Sequence, residues 1–265
     1  MDTDKTGEPK KQKGQKDDKP ARPTGTWGPT AAILLVVVGL AFGQILGAIF
    51  VGLLSLLASR TTALQLDAWF ETTPAQFLFV LFSAIFTLLV LAVFLRWRRI
   101  SWRKLGFERG PQWRDLGWTL LAVPVYFVVT LVVAGLAGVY LGVDLEQEQE
   151  IGFRQVVGPA ALLMTFVSLV VLPPLVEEIL FRGFLFPGLR TKLNFIMAAL
   201  VTSVLFAIPH LFASSDGLLW VVGIDTFILS MALCYLREHT GALWAPILLH
   251  ALKNGAAFTY LFIIA

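Results

Sequence analysis

Seven apolar runs dominate this chain, at residues 31–58, 75–95, 116–141, 159–190, 194–212, 217–236 and 241–264. A helix needs about 20 mostly apolar residues to cross hydrocarbon. Inside hydrocarbon every backbone N–H and C=O has to be bonded within the chain, and a helix does this by itself. The expected fold is all-α: a polytopic helical transmembrane bundle of about seven spans, with room for a broken or re-entrant segment. Composition supports this. The chain is 57% hydrophobic and 15% charged, against about 45–50% and about 25% in soluble domains. A soluble enzyme and a disordered chain are both excluded.

Three regions are expected. Residues 1–27 are polar and lack large apolar side chains, so they read as a disordered tail. The tail is too long and too acidic for the start of a signal peptide, so the run after it reads as a retained anchor. Residues 28–115 hold two N-terminal spans and a basic loop, and 116–265 hold the core that carries the polar residues discussed below. The tail has seven Lys/Arg, from Lys5 to Arg22, and the loop after the second span has seven more, from Arg96 to Arg114. The positive-inside rule puts both in the cytoplasm, and with them the N-terminus. The acidic stretch Asp144, Glu146, Glu148 and Glu150 then lies outside. Trp97, Trp102, Trp113 and Trp118 cluster at the basic loop, as interfacial anchors do. The formal charge of +3 is therefore accounted for by topology, and no nucleic-acid partner is expected. The bilayer is the expected partner, and the basic loop should lie on anionic lipid. A single cysteine, Cys234, permits no internal disulfide and no thiolate metal cluster.

An ionisable side chain at bilayer depth costs about 2.5–3.5 kcal/mol on insertion scales and marks a functional site by default. The spans hold few: Glu177, Glu178 and Arg182 in the fourth, His210 at the end of the fifth, Asp225 in the sixth, and His250 with Lys253 in the seventh. Glu178 and Arg182 stand at i, i+4 and meet on one helical face, as do Phe206 and His210, and His250 and Asn254. The midpoint between the glutamates and His210 falls at about residue 194, next to the Pro187–Gly188 break. A hairpin turning there brings both ends to one level, because rise per residue is equal on the two arms at about 1.5 Å. The same count leaves His250 about 10 Å from the level of His210 if both helices are straight and upright.

These residue types suit the activation of water. A carboxylate held away from solvent is a better base than one in water. A histidine orients the water or carries its proton. A second histidine and an asparagine amide can donate to an oxyanion. Zinc is the other route, with Glu177, His210 and His250 as the ligand set and an open position for water. The HExxH helix motif that would favour zinc is missing.

Residues 177–182 fit the motif EExxxR, residues 206–210 fit FxxxH, and residues 250–254 fit HxxxN. In this order, each on an apolar helix, they resemble the CPBP family: type II CAAX prenyl endopeptidases and their bacterial relatives, including abortive-infection and bacteriocin-immunity proteins. The resemblance covers about residues 115–262. It implies an all-helical intramembrane endopeptidase acting on a membrane-associated or lipidated protein or peptide. Carried over, Glu177 is the base that activates water, with His210 beside it. His250 and Asn254 hold the water or stabilise the oxyanion. Glu178 and Arg182 form a supporting pair, with Phe206 beside them. The family leaves zinc and a metal-free glutamate mechanism equally open. The short loops fit a bacterial cytoplasmic membrane protein.

Two other function classes use the same residues. A non-catalytic binding or immunity module would keep its phenotype without Glu177 and His210. A transporter would use intramembrane Glu, His and Asp, but would favour inverted repeats, which the sequence lacks. Among the remaining residues, Lys253 is expected to snorkel or to face away from the site. Asp225 has Lys253 as a candidate partner. His239, beside Arg237 and Glu238, is expected in a solvated loop.

Overall fold

The computed structural model describes residues 26–61, 66–147, 151–154, 156–214 and 217–264. Where the sequence is apolar, the backbone bonds to itself as helix. In chain order these are α1 (Pro29–Thr61), the short α2 (Leu66–Phe70), α3 (Thr73–Trp97), α4 (Trp113–Leu141), α5 (Pro159–Arg190), α6 (Phe195–Leu211), α7 (Trp220–Thr240) and α8 (Trp244–Ile264). Six of them are long and apolar enough to cross a membrane; α6 is apolar but shorter, at 17 residues. The architecture is a polytopic helical bundle of an integral membrane protein, as the apolar runs require.

Local chemistry sets the ends. Thr72 caps α3 by accepting from the Ala75 N–H, with Pro74 in the first turn where its missing N–H costs nothing. Asn194 caps α6 by accepting from Met197 N at 2.9 Å, so the α5–α6 hairpin turns where the midpoint count places it. Arg190 locks that turn: it donates to Leu193 O at 2.7 Å and forms a two-pronged ion pair with Glu238. Gly241, with φ at +70°, ends α7 in the left-handed region that glycine tolerates.

Helix α1 lies against α3 through Gly39, Gly43 and Gly47. A Cβ on Gly43 would sit 1.9 Å from Thr87 Oγ1, and one on Gly47 would sit 2.3 Å from Ser83 Oγ. Small residues at four-residue spacing let two helices approach this closely. The α1 end also docks on α5. Trp27 is buried, stacks on Phe184 with ring centroids 4.6 Å apart, and donates its indole N–H to Phe184 O at 2.8 Å. Residues 1–25 of the segment read as a polar tail lie outside the described residues; Trp27 itself is packed. On the other flank, α4 covers α7 and α8 and turns Leu131, Val139, Tyr140 and Leu141 outward.

The helix that organises the bundle is α5, and it is not a uniform α-helix. Two wide π-type stretches, Val167–Val171 and Ile179–Leu185, flank the short segment that carries the two glutamates. Prolines account for the breaks in its hydrogen-bond ladder. Leu169 O would be reached by residue 173 in α register or by 174 in π register, and both are proline. Asn254 on α8 supplies the missing donor, at 2.9 Å. Arg182 O would be reached in π register by residue 187, also proline, and Arg237 Nε on α7 supplies that donor at 3.1 Å. The prolines thus open two backbone sockets on α5, and α7 and α8 fill them. This fixes the registers of α7 and α8 against α5, at two levels on either side of the glutamates. Wide turns of this kind recur at functional sites.

Candidate active site

Consecutive residues on a helix point about 100° apart, so Glu177 and Glu178 face different surroundings. Glu178 turns into the core and is fully buried with Arg182. Its Oε1 accepts from Arg182 Nη1 at 2.9 Å, the expected i, i+4 pair, and also from His250 Nδ1 at 2.9 Å. A carboxylate held by a guanidinium is an acceptor, so His250 Nδ1 carries a hydrogen, and in the neutral tautomer Nε2 is the lone-pair nitrogen.

Glu177 turns to the other side. Its Oε2 lies 3.8 Å from His250 Nε2, beyond hydrogen-bond range, and accepts no hydrogen bond among the described residues. His210 reaches the same place from α6. Its Nδ1 is 2.9 Å from Phe206 O. A carbonyl only accepts, so that nitrogen carries a hydrogen, and in the neutral tautomer Nε2 is again the acceptor. Glu177, His210, His250 and Asn254 all line one cavity of about 210 Å³. A second cavity, of about 270 Å³, shares Glu177, Phe206 and His210 and extends to Leu40 and Gln44 of α1.

Phe206 joins these groups. Its ring centroid is 4.5 Å from the Arg182 guanidinium carbon, a cation–π contact. It lies 5.2 Å from the His210 ring and 5.8 Å from the His250 ring. One aromatic side chain thus contacts the cation of the supporting pair and both histidines. Both histidines reach one cavity, although equal rise along straight, upright helices would set them at different levels.

The structure gathers every residue singled out in the three motifs, and corrects two expectations outside them. Lys253 does not face away: it lines the cavity wall, with Nζ 3.1 Å from Asp225 Oδ2. The Asp225–Lys253 pairing across the sixth and seventh apolar runs is therefore present. His239 is not in a loop. It lies in the last turn of α7, exposed, with its ring 4.1 Å from Trp118. Ile151, Thr226, Leu40 and Gln44 also reach the cavities and carry no motif. Thr226 has only its helical position, one after Asp225, to suggest it.

A zinc ion would need three or four donors converging at about 2.0–2.2 Å on one point. Among the described residues no three His, Cys, Asp or Glu side chains are grouped to hold an ion. As arranged, Glu177, His210 and His250 do not form that cage.

Comparison with known proteins points the same way as the geometry. The family described as "Type II CAAX prenyl endopeptidase Rce1-like" matches residues 159–256, which run from the start of α5 into α8. A curated relative, "Putative membrane peptidase YdiL" of Bacillus subtilis (strain 168), is 31% identical over 150 residues. That stretch is 55% of this chain and 58% of the relative, so the match spans less than two thirds of that protein. No solved structure matches. The matched segment contains the whole EExxxR–FxxxH–HxxxN constellation, so it is over the site-bearing helices that this integral membrane protein is similar to that endopeptidase family.

Proposed function

We propose that this chain is an intramembrane endopeptidase that hydrolyses a peptide bond with a water activated by Glu177 and His210. The observation that carries this reading is the set of three acceptors, Glu177 Oε2 and the Nε2 atoms of His210 and His250, facing one cavity inside apolar helices. A water placed among acceptors must donate both of its hydrogens to them. This aims its lone pairs at an incoming carbonyl carbon.

The steps follow from that geometry. Glu177 takes a proton as the water oxygen bonds to the carbonyl carbon, and the C=O electron pair moves onto oxygen. His210, held by its bond to Phe206 O, accepts from the water and fixes its direction. The tetrahedral species collapses, the C–N bond breaks, and the proton held by Glu177 passes to the leaving amine. General base catalysis of this kind contributes about 10²–10⁴-fold. His250 is held by Glu178, whose charge Arg182 balances. Asn254 acts as a positioning residue through the N–H it gives to Leu169 O. The substrate class is a membrane-associated or lipidated peptide, in keeping with the family description and with a cavity among lipid-facing helices.

The test compares purified wild type and Glu177→Gln in detergent. Each is incubated with a farnesylated CAAX peptide and with membrane proteins of the source cell, with and without chelator, and new termini are read by mass spectrometry. Cleavage by wild type alone supports the reading, and its persistence in chelator supports the metal-free route. Equal products from both proteins, or none from either, would favour a binding or immunity module.

A further inference from the structure

The endopeptidase reading needs a donor for the oxygen on which negative charge develops, and the cavity has few. In their neutral tautomers both histidines face it with acceptor nitrogens, because each Nδ1 hydrogen is already committed. The Asn254 amide gives one of its two N–H groups to Leu169 O. The Thr226 hydroxyl donates back to Val222 O at 2.7 Å. Among the described residues of the wall, the second Asn254 N–H and the Lys253 ammonium remain as side-chain donors, and of these only the ammonium is charged. One of the ammonium's three N–H groups goes to Asp225, and two are left.

The ammonium is held from behind. Asp225 is fixed at both oxygens, Oδ1 by the Tyr126 hydroxyl from α4 and Oδ2 by Lys253 from α8. Asp225 itself is on α7, so three helices set the position of this one cation. A counter-ion for Asp225 would not need to line the cavity, and Lys253 does.

We infer that Lys253 is a further catalytic residue, donating a charge-assisted hydrogen bond to the substrate carbonyl oxygen as it becomes an oxyanion, with Asp225 and Tyr126 as its positioning residues. This rests on the endopeptidase reading and adds a charged donor to it. The charge balance is consistent. When Glu177 takes the proton from water it becomes neutral, and the negative charge reappears on the carbonyl oxygen beside the ammonium. No proton passes to or from Lys253. When the C–N bond breaks, the charge returns to Glu177. A binding site for a permanent substrate anion would add charge near Glu177 and Asp225 instead, which makes it the poorer use of this lysine.

The experiment measures kcat and KM on the farnesylated CAAX peptide, with the full chain in detergent. The proteins are wild type, Lys253→Gln, Lys253→Arg and the double variant Asp225→Asn/Lys253→Gln, each with its thermal midpoint. Losing one oxyanion donor lowers kcat by roughly 10²–10³-fold. Lys253→Gln should show that loss with KM within about threefold of wild type, and Lys253→Arg should recover part of the rate. In the double variant no carboxylate is left unpaired, so its midpoint should return toward wild type while kcat stays low. Recovery of kcat in the double variant, or a wild-type kcat in Lys253→Gln, would overturn the inference and leave the endopeptidase reading standing. A wild type that cleaves no peptide would overturn that reading first and this inference with it.

Discussion

His250 donates its Nδ1 hydrogen to Glu178, 2.9 Å away, on the same oxygen that Arg182 holds. The two motif glutamates therefore have separable tasks. Glu178 and Arg182 are fully buried, and breaking a buried pair by removing one partner costs about 3–5 kcal/mol. Glu178→Ala should lose activity and also lower the thermal midpoint steeply, because the guanidinium is left uncompensated. Glu177→Gln should lose activity at an unchanged midpoint, because Glu177 Oε2 holds up no other described side chain. Thermal unfolding of the two variants in one detergent separates them. Equal midpoints would mean that Glu178 has no structural role.

Asn254 meets a carbonyl on α5 that neither Pro173 nor Pro174 can serve. Asn254→Ala leaves that carbonyl without its partner, which costs about 1–3 kcal/mol in a buried setting. Activity should fall with it, through the shift of α8 against α5. If the amide matters for this reason, returning backbone donors to α5 should compensate. In a Pro173→Ala/Pro174→Ala background, Asn254→Ala should cost less than about 1 kcal/mol and recover most of its activity. Denaturation and rate measurements on the four proteins form a double-mutant cycle. An Asn254→Ala variant that is stable but inactive in both backgrounds would instead make the amide a direct substrate contact.

Much of this site is legible in the sequence because helices make spacing into geometry. The i, i+4 pairs bring Glu178 to Arg182 and Phe206 to His210, and equal rise on two arms puts the α5–α6 turn at Asn194. Lys253 is legible by the same rule, since i+3 from His250 is the same face. The cost of a lysine in hydrocarbon suggests snorkelling instead, and the partner that offsets it, Asp225, is on another helix. The wide turns of α5 are harder to read. They depend on Asn254 and Arg237 as donors far along the chain, and a proline pair alone does not say which side chain will serve its orphaned carbonyl. The second bond of Glu178, to a histidine 72 residues away, has no local sign at all.

The contact between α1 and α3 tolerates no added side-chain volume at two glycines. Gly43→Val should push against Thr87 Oγ1 and Ser83 O, both within 2.8 Å of the new Cβ, and overpacking of this kind costs about 1–3 kcal/mol. A Cβ added to Gly52, on the same helix, would meet nothing within 4 Å, so Gly52→Ala should hold or raise the midpoint, by up to about 1 kcal/mol of helix propensity. Thermal midpoints of the two variants test this. Comparable losses at both positions would show that α1 does not depend on close approach to α3.

Orientation follows from charge and can be measured on the intact chain. Cys234 is fully buried and should resist a membrane-impermeant maleimide in sealed cells, so single cysteines can be added without removing it. Gly14→Cys, within the run of tail lysines, should label only after the membrane is opened. Asp144→Cys, at the acidic loop after α4, should label in sealed cells. Arg103→Cys, in the basic loop between α3 and α4, should behave like Gly14→Cys. Those two loops lie at opposite ends of α4, whose length of 29 residues gives about 44 Å at about 1.5 Å per residue. That is enough to cross the hydrocarbon core of about 30 Å, so the Arg103 and Asp144 variants must differ if α4 spans. Labelling of both in sealed cells would remove α4 from the spanning set. The reverse pattern, with Asp144→Cys protected and Arg103→Cys open, would keep the fold and invert it, placing the basic loop outside against the lysine and arginine bias that predicts it inside.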